Sequence, residues 1–518
     1  MKIIINIIIL FFLDSLNAQV NFEWVNIYDR GNGTDYGSKV NSDVNGDIYV
    51  TGYTTGIPTS RTDMILIKYS ANGNIDWLSI YSDTLTPFPN NSNGGGSLIF
   101  DKTGNIFNGG TKLWKYNENG SLIWTVNPGI YRGYGRIYFD NDYNILTSSE
   151  LANSSFHIRK YSYEGDTMWV RIFKPAGTID ARWKDAVLDR NGYIITTGYM
   201  NKTGIGDRYD CMTVKYSNSG ELLWYNRFSE GVDNFSYSIA CDNLNNIYIA
   251  GEKDLNILTI KYSSEGDTLW KRIYDGGNGD IGYDIEADTL GNVYTLGVSV
   301  GFGIVLLKYN FEGNLVWIKS HSPADLTTLP ILKLDKYCNL YLSYNYTTNQ
   351  GGEKIVIVKY NTEGILQWSV EYNYMNNNTS LSQIRDLFID KNLNVYITGN
   401  GTGGGVGYNL FTVKWSQVIT NIPEINNSVI HNYKLFQNYP NPFNPKTIIN
   451  YYIPASGFVS LKIYDALGNE VTAIVNEKQS AGSYDAAFDG TGLSSGIYFY
   501  SLYSDGILKD TKRMLLLK

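Results

Sequence analysis

One phrase recurs along this chain and limits what it can fold into: an apolar strand ending in Lys-Tyr, then three residues, Gly, three residues, and Trp. It reads Lys68-Tyr69…Gly73…Trp77, Lys115-Tyr116…Gly120…Trp124 and Lys160-Tyr161…Gly165…Trp169. It returns at Lys215-Tyr216…Gly220…Trp224, Lys261-Tyr262…Gly266…Trp270, Lys308-Tyr309…Gly313…Trp317 and Lys359-Tyr360…Gly364…Trp368. Successive Trp lie 45 to 55 residues apart, the size of one four-stranded blade. A second phrase alternates with the first: an Asp, a short turn rich in Asn and Gly, then an apolar-aromatic strand. Its copies start at Asp43, Asp101, Asp140, Asp189, Asp242, Asp288, Asp335 and Asp390. Asp and Asn side chains bond the local backbone and Gly accepts positive φ, so these are tight hairpins. Each unit thus holds strand a before the Asp, b after it, c ending Lys-Tyr, and d starting near Trp.

The Asp turn occurs eight times and the full Lys-Tyr to Trp hairpin seven. The missing hairpin is divided between two distant segments. Phe411-Thr412-Val413-Lys414-Trp415 is a c strand with no d strand after it, and Trp24 to Asp29 is a d strand with no c strand before it. The spacing predicts an all-β propeller of eight blades over residues 19–415, closed by the N-terminal strand. Closure removes an open sheet edge. Seven blades is the alternative, if the short unit around Asp140 packs irregularly. These units resemble the bacterial seven-bladed propeller repeat family, whose copies read roughly Asp-x-x-Gly-Asn-apolar-Tyr followed by Lys-Tyr/Leu…Gly…Trp. The resemblance implies the fold and an extracytoplasmic habitat. It implies no reaction, because propellers host binding proteins, scaffolds and enzymes alike.

Residues 416–432 lack a strand pattern and read as a linker. Tyr439-Pro440-Asn441-Pro442-Phe443-Asn444-Pro445 then fixes an extended entry. Short alternating strands follow at Thr447–Tyr452, Val459–Tyr464, Tyr484–Phe488, Gly496–Leu502 and Lys509–Leu517, with a hairpin turn at Asp465-Ala466-Leu467-Gly468-Asn469. Residues 433–518 are therefore expected to form a small immunoglobulin-like β-sandwich. The segment resembles the type A C-terminal sorting domain of the Bacteroidota type IX secretion system. Tyr439 to Pro445, Leu461 to Asp465 with Gly468, Leu493…Gly496-Ile497-Tyr498 and Lys512-Arg513-Met514-Leu515 carry that resemblance. It implies recognition by the outer-membrane translocon after Sec export and removal by sortase-like processing machinery. It also implies frequent transfer of the cargo to anionic lipopolysaccharide.

The other terminus fits export. Lys2, the apolar run Ile3 to Leu13 and Leu16-Asn17-Ala18 read as a signal peptide over residues 1–18, cleaved between Ala18 and Gln19. The run is about half the ~20 residues that a spanning helix needs, and no later segment is apolar enough to span. A net charge of −8 argues against non-specific nucleic-acid binding. Three Cys (211, 241, 338) without motif spacing make neither a disulfide framework nor a zinc site, and Cys211 and Cys241 are expected as buried apolar fillers. Three His in 518 residues weaken any His-based catalytic or metal centre. No cofactor or metal is implied. The Asp turns lack the alternating carboxylates of a calcium loop, Asp140-Asn141-Asp142 coming closest.

In a four-stranded meander the a–b and c–d turns share one face and are uniform here, while the b–c and d–a connections share the other face and vary. Variable loops on a rigid scaffold form the expected binding face. Tyr131, Arg132, Tyr134 and Tyr209 fall there, as do Phe88, Tyr372 and Tyr374. Trp183 sits six residues before its turn Asp, where other units have Gly37 and Gly282. That places it near the channel mouth, where it could stack on a sugar ring; the alternative, and the one the burial statistics of Trp favour, is that it packs against a neighbouring blade. Each repeated Lys is expected to face its own blade's turn rather than form a cationic site. Loop carboxylates Asp180, Asp233 and Asp280 are the candidates for facing one another across the mouth, as glycosidase chemistry requires. The function expected is that of a secreted, surface-attached propeller, a non-enzymatic binder of glycan or protein or a structural surface protein. The alternative is an enzyme acting on extracellular polysaccharide.

Overall fold

The computed structural model describes residues 18–31, 33–55, 62–82, 97–110, 112–127, 136–151, 155–202, 208–277, 279–300, 302–323, 326–374, 381–402, 407–419, 433–436, 438, 441–454, 456–480 and 482–517. Its regular elements are β-strands throughout. Two compact units divide the chain, Met1–Thr420 and Asn421–Lys518.

Eight four-stranded antiparallel sheets build the first unit. Blades 1 to 7 are the meanders over 35–81, 97–126, 136–173, 178–228, 234–274, 280–321 and 331–373. Blade 8 takes its a, b and c strands from 382–419 and its d strand from Ala18–Tyr28. The a strands of successive blades pack against one another all the way round, blade 8 onto blade 1 included, so the ring is closed with eight blades. The short unit around Asp140 is a regular blade, so the seven-blade alternative falls. At the seam Trp24 pairs with Lys414 and Tyr28 with Leu410. The closing c strand, Tyr408–Ile419, runs four residues past the expected end at 415 into the segment read as linker, and Gln19 pairs with Val418.

The repeat phrase is a description of how one blade meets the next. At five interfaces the Trp indole N–H donates to a carbonyl in the following blade's c–d turn, as from Trp24 to Ala71 O (3.1 Å), Trp224 to Ser264 O (2.9 Å) and Trp270 to Phe311 O (3.0 Å); the buried Trp124 indole N–H has no such partner. The Lys ammonium of the same blade reaches the same carbonyl, as Lys215 does to Ser264 O (3.0 Å) and Lys261 to Phe311 O (3.1 Å). The Gly of that next turn lies under the Trp ring. Gly73 has φ +81°, and a Cβ there would come within 2.4 Å of Trp24 Cδ2; at Gly266, φ +95°, it would come within 2.7 Å of Trp224 Cδ2. Gly is required both for the left-handed backbone and for the close approach.

The turn Asp is the second node. In all eight copies one carboxylate oxygen accepts the N–H groups two and four residues on, as Asp288 does from Leu290 and Asn292, both at 2.9 Å. In the five copies with a Tyr six residues on, the other oxygen accepts its hydroxyl, at 2.8 Å for Tyr248 to Asp242. The expected Lys pairing is present within blades: Lys68 to Asp47 at 2.7 Å, Lys160 to Asp140 at 2.7 Å, Lys215 to Asp189 at 2.8 Å and Lys359 to Asp335 at 3.7 Å. Lys160 thus places a cation on the turn that came closest to a calcium loop. Burial alone would raise the Asp101 carboxyl, but hydrogen bonds from Tyr163, Asn105 and Thr103 hold it below the usual range.

Blade 8 has no c–d turn, because its d strand comes from the other end of the chain. The Gln417 side chain supplies the missing acceptor. Its Oε1 accepts Trp368 Nε1 (3.2 Å) and Lys359 Nζ (2.8 Å), and its Nε2 donates to Tyr341 Oη (3.0 Å).

At the centre, polar residues four before several turn Asp tie a strand to a strand. Ser97, Asp284 and Asp386 accept the backbone N–H of Ile137 (3.1 Å), Leu332 (3.0 Å) and Val40 (3.0 Å) in the next blade. Two cations at the equivalent position are neutralised there: Lys39 by Asp386 (2.9 Å) and Arg136 by Asp185 (2.8 Å).

The C-terminal unit has a three-stranded sheet (Lys434–Leu435, Lys446–Ile453, Gly482–Asp489) and a four-stranded sheet (Glu470–Gln479, Gly457–Tyr464, Gly496–Ser504, Ile507–Leu516). They share one apolar core that includes Ile449, Tyr451, Leu461, Ile463, Phe488, Tyr500, Leu502 and Met514. The sequence pattern missed Glu470–Gln479. It is an edge strand with mostly exposed side chains, so it lacks the alternation that marks a half-buried strand. Pro440 lies outside the described residues. Tyr439 does too, and Asn441 and Phe443 pin the motif to the last strand. Asn441 Oδ1 accepts Leu515 N–H (2.8 Å), and buried Phe443 exchanges backbone bonds with Leu515 and Leu517 (both 2.9 Å). Pro445 O accepts Gly490 N–H (2.8 Å), while Pro442 and Asn444 are exposed. Gly468 takes φ +85° in the Asp465 turn, and Gly496 opens its strand.

Candidate ligand-binding rim

Five a strands carry an extra residue just before the central tie: Ser38, Lys184, Tyr237, Tyr283 and Arg385 in blades 1, 4, 5, 6 and 8. Such a bulge re-aims side chains next to it. The residue before it stays inside the ring: Gly37, Trp183, Ser236, Gly282 and Ile384 are all buried. The inserted residue is half-buried at Tyr237, Tyr283 and Arg385 and exposed at Lys184. These positions lie toward the start of strand a, on the side of the variable loops.

Around them aromatic rings run from blade to blade. At blades 4 to 6, Tyr199 packs on Tyr209 (ring centroids 5.4 Å apart) and Phe235 (4.8 Å), Phe235 stacks on Tyr237 (6.1 Å), and Tyr237 meets Tyr283 (5.7 Å). Lys184 Nζ lies 5.1 Å from the Tyr199 ring centre and 5.7 Å from that of Tyr237. At blades 8 and 1, Tyr36 stacks on Tyr53 (4.7 Å) and touches Tyr408 (5.7 Å). Burial raises the hydroxyl pKa of Tyr36 and Tyr53, while the nearby Arg385 charge pulls both down. All of these rings are half-buried, leaving part of each open to solvent. Burial likewise raises the carboxyl of Glu252, which lies under Tyr237 at 6% exposure.

Of the residues expected from sequence, Tyr209 joins the first cluster. Tyr131, Arg132, Tyr134 and Phe88 lie outside the described residues. Trp183 is not at the mouth. It is 9% exposed and packed with Phe156, Phe173, Met200 and Met212, because its position precedes the bulge and points into the blade interface. Tyr374 is fully buried against Phe411, and Tyr372 is wedged against Phe22 and Trp415, so both are packing residues. The three candidate carboxylates serve their own neighbourhood. Asp180 accepts from Arg182 (2.9 Å), Asp233 from Tyr209 N–H (3.2 Å), and fully buried Asp280 from Gly276 N–H (2.5 Å). Among the described residues no three His, Cys, Asp or Glu side chains gather where they could hold a metal ion. The three cysteines are free; Cys211 is buried as expected, whereas Cys241 and Cys338 are partly exposed. The missed rim residues of the a strands, Tyr36, Lys184, Phe235, Tyr237, Tyr283 and Arg385, had a signal in the sequence: an aromatic or cation five or seven residues before a turn Asp.

Residues 437–516 match the family model described as the secretion system C-terminal sorting domain. That match marks a substrate of type IX secretion, bound for the cell surface or the exterior. No curated protein is detectably similar to the chain. Among solved structures, Sqt1 from Chaetomium thermophilum is 8% identical, covers 77% of this chain and 100% of its own, and superposes with a TM-score of 0.52, which shows a shared fold. A protein from Dyadobacter fermentans (10% identity, 77% and 99% coverage, TM-score 0.39) and a gluconolactonase from Xanthomonas campestris (11%, 48% and 82%, TM-score 0.31) are more distant. No helix of the described residues is long and apolar enough to cross a membrane.

Proposed function

We propose that this chain is a surface-displayed, non-catalytic propeller that binds a glycan or protein through the rim of its variable-loop face. In this reading Sec export removes residues 1–18, and the type IX translocon recognises residues 433–518. Sortase-like machinery then removes that domain and couples the propeller to anionic lipopolysaccharide. One observation carries the binding role: two clusters of half-exposed aromatic rings, each with a cation, stand at opposite seams of the ring. Aromatic faces flanked by a few polar groups are the usual floor of a sugar or peptide site. The polysaccharide-cleaving alternative is the weaker one, since Asp180 and Asp280 bond to near neighbours in their own segments and Asp233 accepts the Tyr209 N–H of the preceding blade.

The test is a glycan array probed with the purified secreted protein, alongside reducing-sugar release assays on the glycans it retains. Retention without hydrolysis is expected. Hydrolysis of a retained glycan refutes the non-catalytic reading. Retention undiminished in a Tyr209→Ala/Tyr283→Ala variant refutes the rim as the site.

A further inference from the structure

Two loops on the variable face are built alike. Asp29-Arg30-Gly31-Asn32-Gly33 leads from blade 8 into blade 1, and Asp275-Gly276-Gly277-Asn278-Gly279 leads from blade 5 into blade 6. In both, the first Asp accepts the N–H two residues on: Gly31 to Asp29 Oδ1 (2.7 Å) and Gly277 to Asp275 Oδ1 (2.9 Å). Each loop runs into a fully buried Asp that opens strand a, Asp35 or Asp280. Its Oδ2 accepts the N–H of the second loop residue, Arg30 (2.9 Å) or Gly276 (2.5 Å). A hydroxyl residue pairs with it on strand b, Thr54 or Ser299.

Beyond that the two Asp differ. In blade 1 the Thr54 hydroxyl donates to Asp35 Oδ1. Burial raises the Asp35 carboxyl, while the Thr54 and Arg30 bonds and the Arg30 charge pull it down. In blade 6 a glycine stands where Arg30 brings its charge. Asp280 Oδ1 and Ser299 Oγ have no hydrogen-bond partner among the described residues, although Asp280 is 0% and Ser299 1% exposed. Both oxygens turn to the same place: a Cβ on Gly276 would stand 2.9 Å from Asp280 Oδ1 and 2.6 Å from Ser299 Oγ. A buried carboxylate is held only when it is paired or hydrogen-bonded. Here one of its oxygens faces a cradle whose other wall is a second oxygen.

We propose that this cradle holds a hard cation, which supplies in blade 6 the charge that Arg30 supplies in blade 1. Carboxylate and hydroxyl oxygens suit calcium and the alkali ions. One carboxylate sets calcium affinity at the weak end, roughly 10⁻⁴–10⁻³ M. The ion fastens the loop between blades 5 and 6 onto the strand that carries Tyr283 to the rim. The Asp280 N–H already ties that strand to Leu255 O in the b–c turn of blade 5 (2.7 Å). The site does not depend on which ligand the rim takes.

The purified secreted protein is stripped with a chelator into choline chloride. Its thermal midpoint is then followed as choline is exchanged for calcium, sodium or potassium at constant ionic strength. At least one of the three is expected to raise the midpoint saturably, by roughly 1–3 °C, and the one that does so at the lowest concentration names the ion. Gly276→Arg/Ser299→Thr transplants the blade 1 arrangement. Gly276 has no left-handed φ, so the backbone accepts a side chain there. This variant is expected to lose the response and to match or exceed the ion-free midpoint of wild type. Asp280→Asn, which keeps the shape and removes the charge, is expected to lose the response as well. Circular dichroism shows whether each variant is folded. A wild-type midpoint indifferent to all three ions overturns the site and assigns the cradle to water. A response of unchanged size in either folded variant overturns it too.

Discussion

The Gly beneath each Trp allows a graded test of why the repeat has the form it has. Gly165 and Gly73 lie beneath a Trp, whereas Gly192, in the Asp189 turn, does not; all three have similar backbones, with φ of +92°, +81° and +76°. They differ in what a Cβ would meet: nothing within 4 Å at Gly192, Trp124 Cδ2 at 3.2 Å for Gly165, and Trp24 Cδ2 at 2.4 Å for Gly73. Substitution by Ala imposes the left-handed backbone cost at all three, roughly 1–2 kcal/mol. At Gly192 that is the whole effect. At Gly165 the contact is slightly tight, and relaxation by a few tenths of an ångström adds less than about 1 kcal/mol. At Gly73 the indole must move. Its N–H bond to Ala71 O (3.1 Å) and the Asn26 bond to Gly73 O (3.0 Å) are then strained, and forcing an extra methyl into a packed site costs about 1–3 kcal/mol more. Gly73→Ala is therefore expected to lose roughly 2–5 kcal/mol, and the order of destabilisation is Gly73, Gly165, Gly192. Urea unfolding followed by Trp fluorescence measures it. Equal losses at all three would show that positive φ alone explains the recurring Gly and that stacking under Trp contributes nothing.

Other consequences follow from the same contacts. Gln417→Ala leaves Trp368 Nε1 and Lys359 Nζ without their shared acceptor and is expected to cost about 1–3 kcal/mol in urea unfolding; an unchanged midpoint would remove Gln417 from the seam. Lys160→Met strips the cation from Asp140, whose side chain is fully buried, and is expected to destabilise by about 3–5 kcal/mol. Lys68→Met, opposite the 40%-exposed Asp47, is expected to cost under about 1 kcal/mol; similar losses would refute the role of burial. Burial, helped by Arg159, pushes the His157 imidazole down to about 4. The unfolded chain then takes up a proton near pH 6.5 that the folded one refuses, so this stability is complete above that pH. It is lost as pH falls toward about 4, by roughly 3 kcal/mol. Midpoints measured from pH 7 to 4 should flatten in a His157→Asn variant, and an identical slope would exclude His157 as the source.

The eight-bladed ring was legible in the sequence because each repeated residue reports a contact that must recur at every blade interface. Trp and Lys of one unit meet the turn and Gly of the next, so no unit can vary them independently. The half-copies at Trp24 and Trp415 even located the seam. The C-terminal sandwich was readable from its motifs, apart from an edge strand whose solvent-facing pattern resembles a loop.

The rim was not legible in the same way. Side chains along a strand alternate sides, so a one-residue bulge decides whether a given side chain enters the blade interface or the mouth. Trp183 and Lys184 are adjacent in sequence, yet the first fills the core beside Phe156 and Met212, and the second stands over Tyr199 at the rim. Choosing between them needs the pairing register of strand a against strand b, which shifts between Trp183 and Asp185. Sequence by itself pointed to eight blades with seven as the alternative, to the closing seam and to the export domain, because these rest on residues that must repeat or occur in order; the structure decided the count. Tertiary structure alone decided which aromatic and cationic side chains share the mouth. They come from different blades, and only closure of the ring and the bulges in its inner strands bring them together.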